Sequence, residues 1–289
     1  MCGLIGICKK NTLDKSDLNN IDKISESLKH RGPNQNGAWI NQSKNTYLSH
    51  RRLSINDLSN DGIQPMISKS GRYVIIFNGE IYNFKNLKKE LILKKHQFAG
   101  RSDTEVLLNL IEEYGLMDGL KKINGMYSFA LYDNKLNKIS LVRDPTGQKP
   151  FYYYKDSNTF FFTSELRNIN FSGIKTKISE ESLQYFFQLS YIPAPFTIFE
   201  NFFKIKKGNI IELNLESFET KEISFENKKN IYNLNKLNFS SKLDFFEKLF
   251  SEVTEDHLIS DVSNGTLLSG GIDSSIVTYF SNKVSKKKK

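Results

Sequence analysis

The sequence predicts an α+β fold in which helices pack on two antiparallel sheets, followed by the start of an α/β unit. Three observations carry that expectation. Short apolar runs rich in β-branched and aromatic residues precede a pair of helix-period segments between Phe84 and Tyr114. Four more such runs follow at roughly ten-residue spacing, separated by turn residues, which is the rhythm of an antiparallel sheet. Beyond an Asn/Lys-rich stretch the pattern changes to helix, short strand, glycine turn and apolar run. The length of 289 residues allows one large domain or two modest ones.

The first strand is expected over residues 3–8. Leu18, Ile21, Ile24 and Leu28 recur at helical spacing, and Gly32-Pro33 closes that helix, so His30-Arg31-Gly32-Pro33 is a helix exit. Strand patterns surround Trp39 and residues 46–48, the second leading into Ser49-His50-Arg51-Arg52-Leu53-Ser54-Ile55. Residues 73–77 read as a buried strand that stops at the turn chemistry of Asn78-Gly79-Glu80. Phe84, Leu87 and Leu91 mark one face of a helix. Ser102-Asp103-Thr104-Glu105 opens the next as a Ser-x-x-Glu capping box, with Leu107, Leu110, Ile111 and Tyr114 as its apolar face and Gly115 as its end. The four later strands are expected over 126–132, 139–143, 151–154 and 160–163. The first domain is placed at 2–213, a linker with little regular structure at 214–240, and the beginning of a second domain at 241–289. There Leu243, Phe246, Phe250 and Val253 mark a helix, and Thr266-Leu267-Leu268 a short strand.

Composition excludes several classes. At 38% hydrophobic and 25% charged residues the chain is ordinary for a soluble globular protein. No run approaches the ~18–20 apolar residues of a membrane span. Gly3-Leu4-Ile5-Gly6-Ile7 is followed by Lys9-Lys10 rather than by a secretory pattern, so a cytoplasmic protein without a membrane partner is expected. Cys2 and Cys8 are the only cysteines, too few for a disulfide framework or a cysteine metal site, and Cys8 is expected to pack as a small hydrophobe. Of the net charge of +9, four charges come from Lys286 to Lys289, and the rest are scattered without a basic, aromatic-interleaved stripe. No nucleic-acid partner is expected.

Two constellations carry chemistry. With Met1 removed, Cys2 would hold a thiol and a free α-amine on one Cα, and its small side chain suits that removal. The amine has a reference pKa of roughly 7.7–8.0 and the thiol one of about 8.5. The amine can therefore take the thiol's proton near neutral pH, making a nucleophile with its own general base. Taken alone, a cysteine at position 2 is unremarkable; the residues that follow raise its standing. An amidase acting on free glutamine also needs an oxyanion hole and groups for both ends of the amino acid. The Asn78 side-chain amide and the Gly79 N–H are candidates for the first. Arg52 suits an α-carboxylate, and Glu80 and Asp103 suit an α-ammonium. Each has a plainer reading: a surface arginine, an Asn-Gly turn, an acid in the first turn of a helix.

The second constellation is Leu268 followed by Ser269-Gly270-Gly271-Ile272-Asp273-Ser274-Ser275. The glycines admit close backbone approach to phosphate, the hydroxyls of Ser269, Ser274 and Ser275 add donors, and a following helix adds its positive end. Asp273 could hold a nucleotide-bound Mg²⁺. The stretch lacks the Gly-Lys-Ser/Thr ending of a Walker A loop.

The ordered set of motifs resembles the glutamine-hydrolysing asparagine synthetases nearly from end to end. It comprises Met1-Cys2-Gly3, His30-Arg31-Gly32-Pro33, Arg52-Leu53-Ser54-Ile55, Gln64-Pro65-Met66, Asn78-Gly79-Glu80-Ile81-Tyr82-Asn83, Ser102-Asp103-Thr104-Glu105-Val106, Asn124-Gly125-Met126, Arg143-Asp144, Ser164-Glu165, Pro193-Ala194-Pro195 and residues 269–275. The resemblance implies an N-terminal-nucleophile hydrolase sandwich of the class II amidotransferase type, joined to an ATP-pyrophosphatase domain. Glutamine, aspartate and ATP are the implied substrates, with Mg²⁺ for the synthetase half. It implies Cys2 as nucleophile. Arg52, Leu53, Ile55, Asn78, Gly79, Glu80 and Asp103 are implied to contact glutamine, partly through backbone. Leu268, Ser269, Gly270, Gly271, Asp273 and Ser274 are implied to bind ATP, with Asp273 toward the metal. The stretch 143–150 departs from the family at Pro145 and Thr146, and Ser263 stands where a proline is usual.

About fifty residues follow the linker, whereas a complete nucleotide-binding domain needs on the order of 100–150. The expected chain is thus a glutaminase with the start of a synthetase, the remainder lying in a longer product or a separately encoded partner; a homodimer is compatible with it. The alternatives are an amidotransferase with another carboxylate acceptor, and a truncated product with glutaminase activity only or with none.

Overall fold

The computed structural model describes residues 1–167, 169–225 and 236–287. The chain divides into two compact units, Met1–Glu226 and Asn227–Lys289.

In the first unit, strands β1 (Gly3–Lys9), β2 (Gln35–Ile40), β3 (Thr46–Arg52), β4 (Met66–Ile67), β5 (Tyr73–Ile81), β6 (Gly125–Asp133), β7 (Lys138–Arg143), β8 (Tyr152–Lys155), β9 (Thr159–Thr163), β10 (Phe202–Lys204), β11 (Asn209–Asn214) and β12 (Thr220–Ser224) form two six-stranded sheets. Their orders are β10-β8-β9-β1-β3-β2 and β12-β11-β7-β6-β5-β4, with every pairing antiparallel. Leu4, Cys8, Leu48, Phe160 and Phe162 of the first sheet pack with Val74, Ile76, Tyr132, Leu141 and Leu213 of the second in one core. The strand period of two turns Ile5 and Ile7 to the opposite face, onto Ile21, Ile24 and Leu28 of helix α1 (Lys15–Ser27) and the residue after it. Helix α3 (Asp103–Lys122) lies against β5 and beside α2 (Phe84–Leu93). The result is a two-sheet sandwich with helices on its outer faces, the expected α+β architecture.

Three local expectations change. Asn78-Gly79-Glu80 is no turn: β5 continues through it to Ile81, with Gly79 opposite Tyr127 of β6. The glycine answers a close approach, because a Cβ at Gly79 would stand 2.2 Å from the Met126 carbonyl oxygen. Gly115, at φ 77°, interrupts the helix where expected, but a second helical segment follows directly, so α3 is two segments meeting at a kink. Residues 220–224, expected in an irregular linker, form β12 because the exposed edge of β11 offers them a hydrogen-bonding partner. Of the expected linker, 226–235 lies outside the described residues. A short helix, α4 (Glu180–Leu189), precedes β10.

In the second unit, α5 (Phe239–His257) and α6 (Ile272–Lys287) pack through Phe250 and Phe280, whose ring centroids are 4.9 Å apart. Thr266-Leu267-Leu268 is not a strand, and Leu267 and Leu268 are exposed. A strand needs a partner, and among the described residues of this unit there is no sheet for it to join.

No helix among the described residues is long and apolar enough to cross a membrane.

Candidate active site

The first strand delivers Cys2 to the edge of a cavity of about 190 Å³. Arg52 ends β3, with Leu53 and Ile55 following it; Asn78, Gly79 and Glu80 lie on β5; Asp103 is the first residue of α3. All of these, with Cys2, line the same cavity. Residues up to 101 positions apart thus meet because β1 and β3 pair directly while β5 crosses beneath them in the other sheet.

Cys2 is held from three sides. Its N–H donates to Asn78 Oδ1 at 3.0 Å. Its carbonyl accepts from Arg31 Nε at 2.9 Å. Its sulfur accepts from the Leu53 N–H at 3.4 Å, and the thiol lies 3.8 Å from the Leu53 carbonyl. Burial pushes the thiol pKa up, opposed by the Leu53 backbone hydrogen bond, the N-terminal charge and Arg52. Met1 precedes Cys2 in the same cavity, so the Cys2 nitrogen is an amide in this chain as it stands. Cys8, fully buried in the core, has its thiol pushed up to about 12 by burial and is a packing residue.

Because Asn78 Oδ1 accepts from Cys2, its Nδ2 is fixed as the free donor end, and that atom is buried without a hydrogen-bond partner. The Gly79 N–H joins it by register. Tyr82 N–H bonds to Asn124 O at 2.8 Å, so alternate residues bond across to β6 and the Gly79–Tyr127 pair does not. On that outer edge the Phe77 N–H goes to Gln64 Oε1 at 2.6 Å and the Ile81 N–H to Asp103 Oδ2 at 2.9 Å. The Gly79 N–H sits between them, between two cavity-lining side chains. Asn78 and Gly79, which line the cavity with Cys2, therefore each bring a donor without a partner among the described residues, the groups an oxyanion requires.

Asp103 is buried at the helix N-terminus, and burial raises its pKa to about 6, aided by the nearby charge of Glu80 and opposed by the Ile81 N–H. A cation placed in the cavity would restore its charged form. Arg52 is less available than its residue type suggests. Its Nη1 donates to Gln35 Oε1 at 2.6 Å and Ser59 O at 3.1 Å, and its Nη2 to Asn56 O at 3.1 Å and Asp57 O at 2.5 Å. Only Nε–H remains for a ligand, and a bidentate grip requires one of these carbonyls to yield. Gln64 and Lys149 also line the cavity and were missed as site residues. Gln64 stood in a quoted motif without an assigned role, and Lys149 in a stretch read only as a departure.

In the second unit, Ser269 and Ser274 hydroxyls lie 3.0 Å apart, and Ser275 donates to the Gly271 carbonyl at 2.8 Å at the start of α6. Gly270 has φ 86°, and a Cβ there would meet nothing within 4 Å, so the backbone is open to a phosphate. A metal is another matter. Asp273 is a single carboxylate, and no group of three ligating side chains occurs among the described residues. These residues fit one wall of an anion cradle and do not fit a protein-built Mg²⁺ site.

Comparison with known proteins follows the same division. Residues 1–224 match the glutamine amidotransferase domain family, and residues 246–288 match asparagine synthase. A Methanocaldococcus jannaschii protein provisionally named a glutamine-hydrolysing asparagine synthetase is 35% identical over 96% of this chain and 56% of its own length. The glutamine-hydrolysing asparagine synthetase 1 of Bacillus subtilis is 32% identical over 96% of this chain and 43% of its own. The chain thus spans about half the length of these relatives. The structure of glutamine phosphoribosylpyrophosphate amidotransferase from B. subtilis superposes with a TM-score of 0.60 at 16% identity, covering 99% of this chain and 64% of that one, which is a likeness of fold.

Proposed function

This chain belongs to the glutamine amidotransferase domain family, and from that premise we propose that it carries the glutaminase half of a glutamine-dependent asparagine synthetase. The observation that carries this reading is the unpartnered Nδ2 of Asn78, a residue of the cavity that Cys2 lines, whose Oδ1 accepts from the Cys2 N–H.

After removal of Met1, the Cys2 α-amine takes the thiol proton, and the sulfur attacks the side-chain amide carbon of glutamine. Asn78 Nδ2 and the Gly79 N–H hold the oxyanion. The amine returns the proton to the departing nitrogen, which leaves as ammonia, and a thioester remains on Cys2. Water then releases glutamate. Asp103 and Glu80 hold the substrate ammonium, Arg52 its carboxylate, and Leu53 and Ile55 wall its methylenes. The glutaminase domain is proposed to run from residue 2 through β12, past the expected boundary at 213, and the start of the synthetase domain to occupy 241–289.

For the second half the family suggests aspartate as acceptor, with ATP activating its carboxylate and Mg²⁺ held by the nucleotide. Leu268, Ser269, Gly270, Gly271, Asp273 and Ser274 are the residues proposed to face ATP. A cytoplasmic location fits small-molecule substrates of this kind. Another carboxylate acceptor is the second reading, since the residues that choose the acceptor are not among those described.

The test is glutamate release from glutamine by the methionine-processed chain, with Cys2→Ala beside it. Release that vanishes in the variant supports the assignment. No release from folded, processed protein overturns it for this chain.

A further inference from the structure

Five charged groups face Cys2 from the elements around it: Arg31 after α1, Arg52 at the end of β3, Glu80 on β5, Asp103 at the start of α3, and Lys149 before β8. Three are cations, and two of those are occupied. Arg31 bonds to the Cys2 carbonyl and pairs with Glu165 at 2.8 Å. Arg52 has both Nη groups on oxygens of Gln35, Asn56, Asp57 and Ser59. Lys149 differs. It is only 7% exposed, it lines the cavity, and among the described residues its ammonium makes no ion pair or hydrogen bond.

Its position is built by the loop that carries it. The Asp144 carboxylate accepts the N–H groups of Thr146 and Gln148 at 3.0 Å and that of Lys149 at 3.1 Å. Arg143 donates to the Lys149 carbonyl at 2.8 Å and to Ile205 O at 2.6 Å. The Lys149 peptide is thus clamped on both sides, and Pro150 and the fully buried Phe151 follow. An ammonium that faces a cavity from a largely buried residue is partly desolvated, and negative charge within reach offsets that cost. Glu80 supplies part of that charge, and the Cys2 sulfur, once deprotonated, supplies more.

We infer that Lys149 is a further residue of this site, a positioning ammonium that sets the protonation state of the Cys2 nucleophile. It exchanges no proton itself. Its charge favours the thiolate and disfavours the protonated α-amine, so the thiol proton passes to the amine nearer neutral pH. The Met1 amine, which stands in this cavity before processing, has its pKa lowered by burial first, with Arg31 and Lys149 acting in the same direction, so Lys149 already opposes a positive charge beside Cys2. The inference rests on the glutaminase reading of the same cavity.

The experiment uses the methionine-processed chain and the variants Lys149→Met and Lys149→Arg, each checked by thermal unfolding. Alkylation of Cys2 by iodoacetamide is followed against pH, by mass spectrometry of the N-terminal peptide, without glutamine. Removing one nearby cation is expected to move the Cys2 profile upward by about one pH unit, tenfold in thiolate at a fixed lower pH. Lys149→Arg should keep the wild-type profile, and the acid limb of glutaminase kcat/KM should move with the alkylation profile. An alkylation profile unchanged in Lys149→Met overturns the role given to Lys149, whatever the turnover. A shifted profile in a protein that releases no glutamate upholds that role and overturns the glutaminase reading instead.

Discussion

The Cys2 N–H and the Asn78 side-chain carbonyl are hydrogen-bonded at 3.0 Å across the two sheets, and this bond decides which end of the buried Asn78 amide is left as an unpartnered donor. The proposed nucleophile and the proposed oxyanion donor are therefore positioned by one contact rather than independently.

Asn78→Ala removes that donor together with the Cys2 anchor. The expected result is a fall in glutaminase kcat of about 10²–10³, with KM for glutamine changed much less, because the oxyanion exists only in the transition state. Steady-state glutamate release across a glutamine titration measures both parameters.

With Asp103 as the proposed partner of the substrate ammonium, glutamine binding is expected to depend on pH. Its pKa of about 6 in the empty site means that below this pH the ligand ammonium meets a protonated acid. KM for glutamine is expected to rise as pH falls through 6, approaching tenfold per unit, while Asp103→Asn shows high KM and no such slope. A slope that persists in Asp103→Asn places the titration on another group.

The same carboxyl has a stability signature. Its folded pKa is raised above the unfolded value of 3.8, so the native state holds the proton more tightly and stability falls as pH rises from about 4 to 6. Asp103→Asn, which keeps an oxygen for the Ile81 N–H, is expected to be more stable than wild type by about 1–3 kcal/mol at pH 7 and to lose that gain at pH 4. Urea midpoints at the two values test it.

His50 acts in the opposite direction. Its Nε2 bonds to the Phe77 carbonyl at 3.0 Å between the sheets, and burial pushes its pKa down to about 3. The unfolded chain binds a proton near 6.5 that the native state refuses, so stability conferred above that pH is lost toward pH 3, by about 1.4 kcal/mol per unit. Between pH 4 and 6 the Asp103 and His50 slopes oppose each other. His50→Gln should remove one proton from the slope, so that the variant loses less stability than wild type on acidification over that window.

Gly79→Ala would bring a Cβ within 2.2 Å of the Met126 carbonyl and push β5 from β6. The expected cost is about 1–3 kcal/mol in stability, with loss of glutaminase activity from the displaced N–H. Wild-type activity and stability in this variant would contradict the close packing assigned to the strand pair.

Much of the sandwich was legible because it is local. The apolar run of Leu4, Ile5, Ile7 and Cys8, and the helical period of Ile21, Ile24 and Leu28, are carried by neighbouring residues that require burial. The roles proposed for Cys2, Asn78 and Asp103 came from residue type together with the ordered set of family motifs, since each residue alone had a plainer reading. Other features had no local sign. Asn78-Gly79 carries the composition of a turn, and only its pairing with Tyr127 on β6 keeps it in a strand. Residues 266–268 carry the composition of a strand and lack the partner that would make them one. The occupied guanidinium of Arg52 and the unpaired ammonium of Lys149 are set by carbonyls and walls from distant parts of the chain. Sequence determined which groups are present and the period of each element. Tertiary structure decided which hydrogen bonds and charges each group meets, because partners and burial are properties of the packed chain.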